Sequence, residues 1–316
     1  LEGDMFRYVL NRLMWLVIIV LAAAVMIFTI LYFTPGDPAR YLSGNSASEQ
    51  EIDALREQMG LNDSYLVQLG RYMYDTFIRL DFGTSWVYNV PVVEELLNRL
   101  PYTLTISLLA LALNLTLGLA FGIFAGTHAG KWQDSLIMAI AMFFVCAPNF
   151  WVALLMIMLF TSTLGWLPAY GVGTWTCFIM PIIASALSGV ATNSRQTRSS
   201  ILEVYRADFI TTARAKGQSN RKIVYRHMLP NALMPIITTV GTALSHAIGG
   251  SAVIEAVFSI PGVGRYLLDA VNARDYPVVR SCVLIFAVYA TIIMLLIDLV
   301  YAFIDPRIKA KYMSRR

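Results

Sequence analysis

Charge is scarce in this sequence of 316 residues: 14% are Asp, Glu, Lys or Arg, against 57% in the apolar class AVILMFWYC. A soluble domain carries about 25% charge, and so small a share could not cover the surface of a chain this long. An ordinary water-soluble enzyme is excluded and the bilayer is the expected solvent. Cysteine is also sparse. Cys146, Cys177 and Cys282 are odd in number, far apart and set in apolar stretches, which supports neither a disulfide framework nor a thiolate metal site; they are expected to be small buried hydrophobes. The three histidines, His128, His227 and His246, fall in separate segments without paired spacing, so no metal site and no catalytic residue is expected. There is no G-x-S-x-G string. Gly126 to Lys131 nearly spells a nucleotide-binding loop, but three residues separate its glycines instead of four, and Trp132 stands where a magnesium-binding Ser or Thr belongs. Any energy for work must then come from a partner.

What the sequence has is long uncharged runs. A spanning helix needs about 20 apolar residues, and Met14–Phe33, Tyr102–Thr127, Met228–Ile254 and Ser281–Ile304 qualify, the last interrupted only by Asp298. Ser135–Ser194 is charge-free over a length that suits two passes, divided by the Gly- and Pro-bearing stretch Gly165–Gly173. Six spans are predicted, giving an all-α integral membrane protein. The first run is too long for a signal-peptide core and lacks a small-residue cleavage site, so it is read as a retained span, and residues 1–4, ahead of Met5, as a cloning remnant. Residues 5–33 then hold the N-terminus and first span, 34–100 an extracytoplasmic subdomain, 101–304 the remaining spans with a loop at 194–235, and 305–316 a tail.

Lys and Arg set the orientation. With both termini cytoplasmic, 16 of the 24 basic residues lie inside. Residues 34–100 carry ten acidic residues against five arginines, with a weak helical pattern around Glu51 to Tyr74. The inner loop holds Arg195, Arg198, Arg206, Arg214, Lys216, Arg221, Lys222 and Arg226, offset only by Glu203 and Asp208. A loop this long usually has its own structure. Ile201, Val204, Tyr205, Phe209 and Thr212 recur at helical spacing, Gly217 suits a helix stop, and Ser219 or Asn220 can cap a second helix. Positive-inside decoration and anionic-lipid contact are the bland readings of the charge.

The order of residues in this loop adds a resemblance. Thr211-Thr212-Ala213-Arg214-Ala215-Lys216-Gly217, followed after nine residues by His227-Met228-Leu229-Pro230, resembles the EAA signature, E-A-A-x3-G-x9-I-x-L-P, of binding-protein-dependent ABC transporter permeases. Thr211 stands where the signature has Glu, and His227 where it has Ile. The string Thr-Ala-Arg-Ala-Lys-Gly is similar to the dipeptide, oligopeptide and nickel branch. So are Pro35-Gly36-Asp37-Pro38, Leu80-Asp81-Phe82-Gly83-Thr84-Ser85, Pro261-Gly262-Val263-Gly264, Arg274-Asp275-Tyr276-Pro277 and Asp305-Pro306-Arg307. The resemblance runs almost the whole length. It implies a type I ABC importer permease of MetI-like architecture in a bacterial inner membrane. It also implies a second homologous permease, two cytoplasmic ATPases that bind ATP and Mg, and an extracytoplasmic binding protein. No cofactor is expected in this chain, and no nucleic acid. In that family the loop docks as a coupling helix on the ATPase. The implied cargo is a dipeptide or oligopeptide, with nickel or a nickel chelate as the alternative within the branch; a stand-alone channel or ion-coupled carrier is the alternative outside it.

Several residues inside the spans carry expectations of their own. Gly118, Gly122 and Gly126 recur every four residues, a stripe suited to close helix packing in lipid. Pro148 and Pro181 are expected to interrupt the third and fourth spans. Glu255 is read either as a vestibule group or as part of an interfacial pair, and Asp298 as structural. Asn114, Asn149 and Ser188 are candidate pathway contacts. Pro261, Gly262, Gly264, Arg274, Asp275 and Tyr276 suit an external gate, a binding-protein contact, or an ordered connecting loop.

Overall fold

The computed structural model describes residues 2–44, 47–232 and 251–304, with side chains from residue 10 to residue 296 within those limits. Among the described residues every regular element is helical, and Thr84 and Pro91 form an isolated antiparallel bridge. Four helices are long and apolar enough to cross a membrane singly: α1 (Glu2–Phe33), α5 (Val92–Thr127), α8 (Thr176–Tyr205) and α13 (Tyr276–Ile304). A fifth candidate is broken. α6 (Trp132–Cys146) and α7 (Asn149–Met156), which widens into π-helical turns at Ile157–Thr163, meet at 103°. The cause is Pro148, which cannot donate to a helical bond and forces the residue before it out of the α region. Ala147 and Pro148 are both extended (ψ 125° and 135°), and the Pro148 carbonyl then accepts from Trp151 and Val152 to start α7.

Pro181 behaves otherwise. α8 runs through it unbroken, because it sits near the helix start and removes one backbone bond, the one to Cys177, without stopping the helix. Cys177 and Cys282 are buried, but Cys146 is exposed. It lies beside the exposed Met142 and Phe143 on an apolar face of α6. The predicted fifth span lies outside the described residues over 233–250, as do His246, the tail from Asp305 and the side chain of Asp298.

The chain divides into two compact units, the first chiefly Leu1–Tyr102 and Pro261–Leu295, the second chiefly Thr103–Ile260. In the first unit, α2 (Pro38–Ser43) starts on Asp37, whose carboxylate accepts from Ala39 N at 3.0 Å. The weak pattern after residue 50 resolves into two helices. α3 (Glu49–Gln58) is opened by a reciprocal capping box between Ser48 and Glu51, and α4 (Tyr65–Phe77) follows a turn. The end of α1, the start of α5, α12 (Val263–Asn272) and α13 pack around a core of Val92, Leu96, Val263, Tyr266, Val278 and Cys282, while Tyr72, Met73 and Phe77 of α4 pack on Val20, Ala24 and Leu284.

The second unit is organised by a seam between α5 and α8. A Cβ built on Gly118 would lie 2.7 Å from Asn193 Cβ, one on Gly122 would fall on Thr197 and 2.7 Å from the Ser194 carbonyl, and one on Gly126 would lie 2.8 Å from Ile201 Cγ2. Contacts that advance by four residues on both helices together make the two helices parallel, with i, i+4 rows facing each other. Between two parallel spans the chain must return across the bilayer once, and the broken α6–α7 element is the return.

Candidate coupling loop and pathway residues

α8 ends at Tyr205, α9 (Asp208–Ala215) follows, and α10 (Asn220–Ile223) continues into π-helical turns at Val224–Met228. The spacing from Ile201 to Thr212 predicts one helix, but the structure breaks it at Arg206–Ala207. Ala207 is extended (ψ 143°), and Asp208 enters the first turn of α9, where an acidic side chain favours the helix N-terminus. Gly217 closes α9 in the left-handed region (φ +71°), donating to the Arg214 carbonyl while Gln218 N donates to the Ala213 carbonyl. Ser219 then caps α10, its Oγ accepting from Lys222 N at 3.4 Å. His227 Nε2 lies 2.8 Å from Gln218 Oε1 and ties the tip to the following helix.

The loop has its own apolar core of Ile201, Ile210, Ala213, Ile223, Met228 and Ala232. Ala213 points into that core. Thr211, Thr212, Ala215, Lys216 and Gly217 are exposed, as are Phe209 and Tyr225, while Leu229 is half-buried and Pro230 exposed. The Arg214 guanidinium stacks 4.1 Å over the exposed Tyr205 ring, joining the end of α8 to α9. The result is a self-packed knob with a small-residue tip, flanked by a cation and an aromatic ring.

Among the candidate pathway residues, Asn114 is buried in the α5–α8 seam. Its Oδ1 accepts from Asn193 Nδ2 at 2.7 Å, and a Cβ at Gly189 would collide with its amide. Glu255, on α11 (Ala252–Val257), is fully buried; Oε1 accepts from Thr103 Oγ1 at 2.8 Å and from Ser251 Oγ at 2.7 Å. Asn149 is half-buried at the first position of α7, and Ser188 is half-buried on α8, where its carbonyl accepts from Thr192 Oγ1. Sequence reasoning missed the strongest polar contact of this unit. Arg198 grips Asp134 in bidentate fashion (Nε–Oδ1 2.6 Å, Nη2–Oδ2 2.8 Å), and the same carboxylate accepts from Gly130 N. The Walker-like string is thus the turn between α5 and α6, its backbone bonded within the chain. A buried acid at the head of α6 was the available signal.

In the first unit three short strings far apart in sequence converge. Asp275 is buried, and its carboxylate accepts from Ser85 Oγ, from Trp86 N at 3.1 Å and from Val87 N at 3.4 Å. Arg274, itself left-handed (φ +55°), donates to the Pro35 carbonyl. Gly36 (φ +115°) is required there, since a Cβ would fall on the Arg274 guanidinium. Tyr276 packs on Trp86 with ring centroids 5.7 Å apart. Asp37 is also gripped by Arg56. Burial disfavours its charged form, but the Arg56 guanidinium and the amides of Ala39 and Arg40 outweigh that and hold its carboxyl below the ordinary aspartate value. Gly262 and Gly264 are buried at the start of α12 and Pro261 is half-buried.

The chain matches two family models: the inner membrane component of binding-protein-dependent transport systems over residues 118–310, and the N-terminal part of such membrane components over residues 5–107. It is 38% identical to a dipeptide transport system permease protein of Alkalihalophilus pseudofirmus, over 96% of this chain and the whole of that one. It is 38% identical to a glutathione transport system permease protein of Salmonella paratyphi A and 36% identical to that of Escherichia coli K12, in each case over 97% of this chain and all of the relative. The fold is similar to that of the MetNI methionine ABC transporter in an inward-facing conformation (TM-score 0.58, 18% identity), over 67% of this chain and 96% of that one. Spanning helices, a self-contained basic loop and these matches lead to one conclusion: the chain belongs to the inner membrane components of binding-protein-dependent ABC transport systems, and is a multi-pass bacterial inner-membrane permease subunit.

Proposed function

We propose that this chain and a second homologous permease together form the pathway of an importer for dipeptides or oligopeptides. Two cytoplasmic ATPases that bind ATP and Mg drive it, and an extracytoplasmic binding protein delivers the cargo. The observation that carries the mechanism is the knob at Asp208–Gly217: Ile210 and Ala213 are buried in a core shared with Ile201, Ile223 and Met228, leaving Phe209, Thr212, Lys216 and Gly217 exposed around a closed helix end. A pre-formed knob can seat in an ATPase groove without ordering cost. Its joints to α8, through Arg214 on Tyr205 and through Ile201, would pass ATPase closure to the spans as a rigid-body movement. The permease performs no covalent chemistry, and hydrolysis belongs to the partner subunits.

Peptide as cargo is supported by the relatives named for dipeptide and glutathione transport; no observation favours nickel. In this reading Glu255 and Asn114 hold helices together, and Asn149 and Ser188 remain the pathway candidates. Residues 34–100 and the Pro261–Tyr276 segment form the extracytoplasmic face met by the binding protein. The test is purification from the native host, with identification of companions by mass spectrometry and transport after reconstitution. A second permease, ATPases and a binding protein carrying peptide are expected. ATP-independent transport by the chain alone would overturn the reading. Within the complex, Gly217→Asp should leave the assembled membrane subunits intact while uncoupling ATP hydrolysis from uptake by tenfold or more; normal uptake would sink the docking role.

A further inference from the structure

A cavity of about 670 Å³ opens in the first unit, walled by the last turns of α1, by α4, by the Asp81–Trp86 loop and by the first turns of α13. Its size is that of a small-molecule site. Six charged side chains line it, three acids and three guanidiniums. Five are already engaged: Asp37 with Arg56, Arg71 with Asp63, Asp75 with Arg79, and Asp81 with the Gly83 amide. The sixth, Arg280, makes no hydrogen bond or ion pair among the described residues, and its Nε is buried without a partner. The guanidinium is held by ring faces instead, 4.7 Å from the centroid of Tyr72 and 5.8 Å from that of Phe28. Such stacking satisfies the plane of the group and leaves its edge N–H donors free for bidentate use.

Two further donors lie at the same cavity in the same condition. The hydroxyls of Tyr72 and Tyr276 are buried and unpartnered among the described residues, and Tyr276 stands one helical turn before Arg280 on α13. Buried polar groups are rarely left unpaired. A guanidinium edge and two phenols suit a carboxylate, which accepts several bonds at once. A phosphomonoester would add a second negative charge beside Asp37, Asp75 and Asp81, whereas the evenly balanced lining suits a ligand with one carboxylate and one ammonium. Phe28 and Trp86 supply apolar walls.

We propose that this cavity binds the free carboxylate of a short peptide or peptide-like acid, with Arg280, Tyr72 and Tyr276 as its donors. The inference rests on the peptide-importer reading and places a cargo contact on the permease itself, apart from the binding protein.

The test uses the purified importer complex without binding protein, in detergent, with glycyl-phenylalanine and its C-terminal amide as probes. Binding is followed by calorimetry and by tryptophan fluorescence. Saturable binding of the acid is expected, with the amide at least tenfold weaker, because a site built around hydrogen bonds to one group rejects the analogue lacking it. Arg280→Gln should weaken the acid at least tenfold, and Tyr276→Phe about threefold. Trp86→Phe should remove the fluorescence change while calorimetric binding persists. If Arg280→Gln does not fold, Tyr276→Phe, which preserves the ring, carries the test. Equal binding of acid and amide, no saturable binding by the folded complex, or a signal produced by phospholipid and not by dipeptide would each overturn the proposal. Peptide transport by the complete system in the absence of this binding would sink the site alone; binding here without peptide transport would sink the importer reading.

Discussion

The α5–α8 seam and the Asp275 cluster both hold distant segments together, and they do so by opposite means. The seam uses the absence of side chains. Gly118, Gly122, Gly126 and Gly189 let two helices approach until Asn193, Thr197 and Asn114 fill the space, as expected where lipid gives helices no hydrophobic reason to associate. The Asp275 cluster uses one buried carboxylate to fix a loop through a hydroxyl and two amides. Helices already satisfy their own backbone, so joining them calls for shape; a loop does not, so joining it calls for acceptors.

That contrast can be broken by substitution. The largest effect is expected at Gly122→Leu, whose side chain must enter the space of Thr197 and the Ser194 carbonyl. A loss above about 4 kcal/mol, seen as absence of folded protein in size-exclusion chromatography, is predicted. Gly173→Ala, at a site with nothing within 4 Å, should leave thermal stability unchanged. Next comes Asp134→Ala, which strands the Arg198 charge and should cost about 3 kcal/mol; Asp134→Leu combined with Arg198→Met should restore most of the loss, measured by thermal unfolding in detergent.

In the Asp275 cluster the effects are smaller. Asp275→Ala leaves three donors without their acceptor and should cost about 1–3 kcal/mol, with faster proteolysis of the Ser85–Tyr88 turn. Ser85→Ala should cost less, since both amides keep the carboxylate. The smallest effect is the response to acid. Because the folded-state pKa of Asp37 is depressed, its contribution is present above the ordinary aspartate value and disappears as pH falls through the lower folded value. Protease resistance of residues 34–60 should therefore decline below about pH 4, by less than about 1 kcal/mol given the part-exposed pair, and Asp37→Asn should flatten that dependence.

What was legible in the sequence is what depends on neighbours. Pro148 interrupts its helix through its own ring, Gly217 and Ser219 stop and start helices through their own backbone and hydroxyl, and the uncharged runs mark the spans by composition. The break at Arg206–Ala207 escaped because the apolar spacing continues across it. The contacts that assemble the two units lay further out of reach. Asn114 meets Asn193 across 79 residues, Arg198 meets Asp134 across 64, and Ser85 meets Asp275 across 190. The glycine stripe announces that something packs closely on α5, but no feature of the stripe says which helix.

The continuity of α8 fixes a phase. Asn193, Thr197 and Ile201 occupy the seam at intervals of four, and within the same helix Ile201 enters the core of the knob while Tyr205 receives Arg214. Each helical residue turns the chain by about 100°. A single residue inserted between Asn193 and Ile201 would leave the upper contacts in place and swing everything below them by over a quarter of a circle. The compass bearing of the knob is therefore written in the number of residues between a glycine-facing asparagine and a stacked tyrosine.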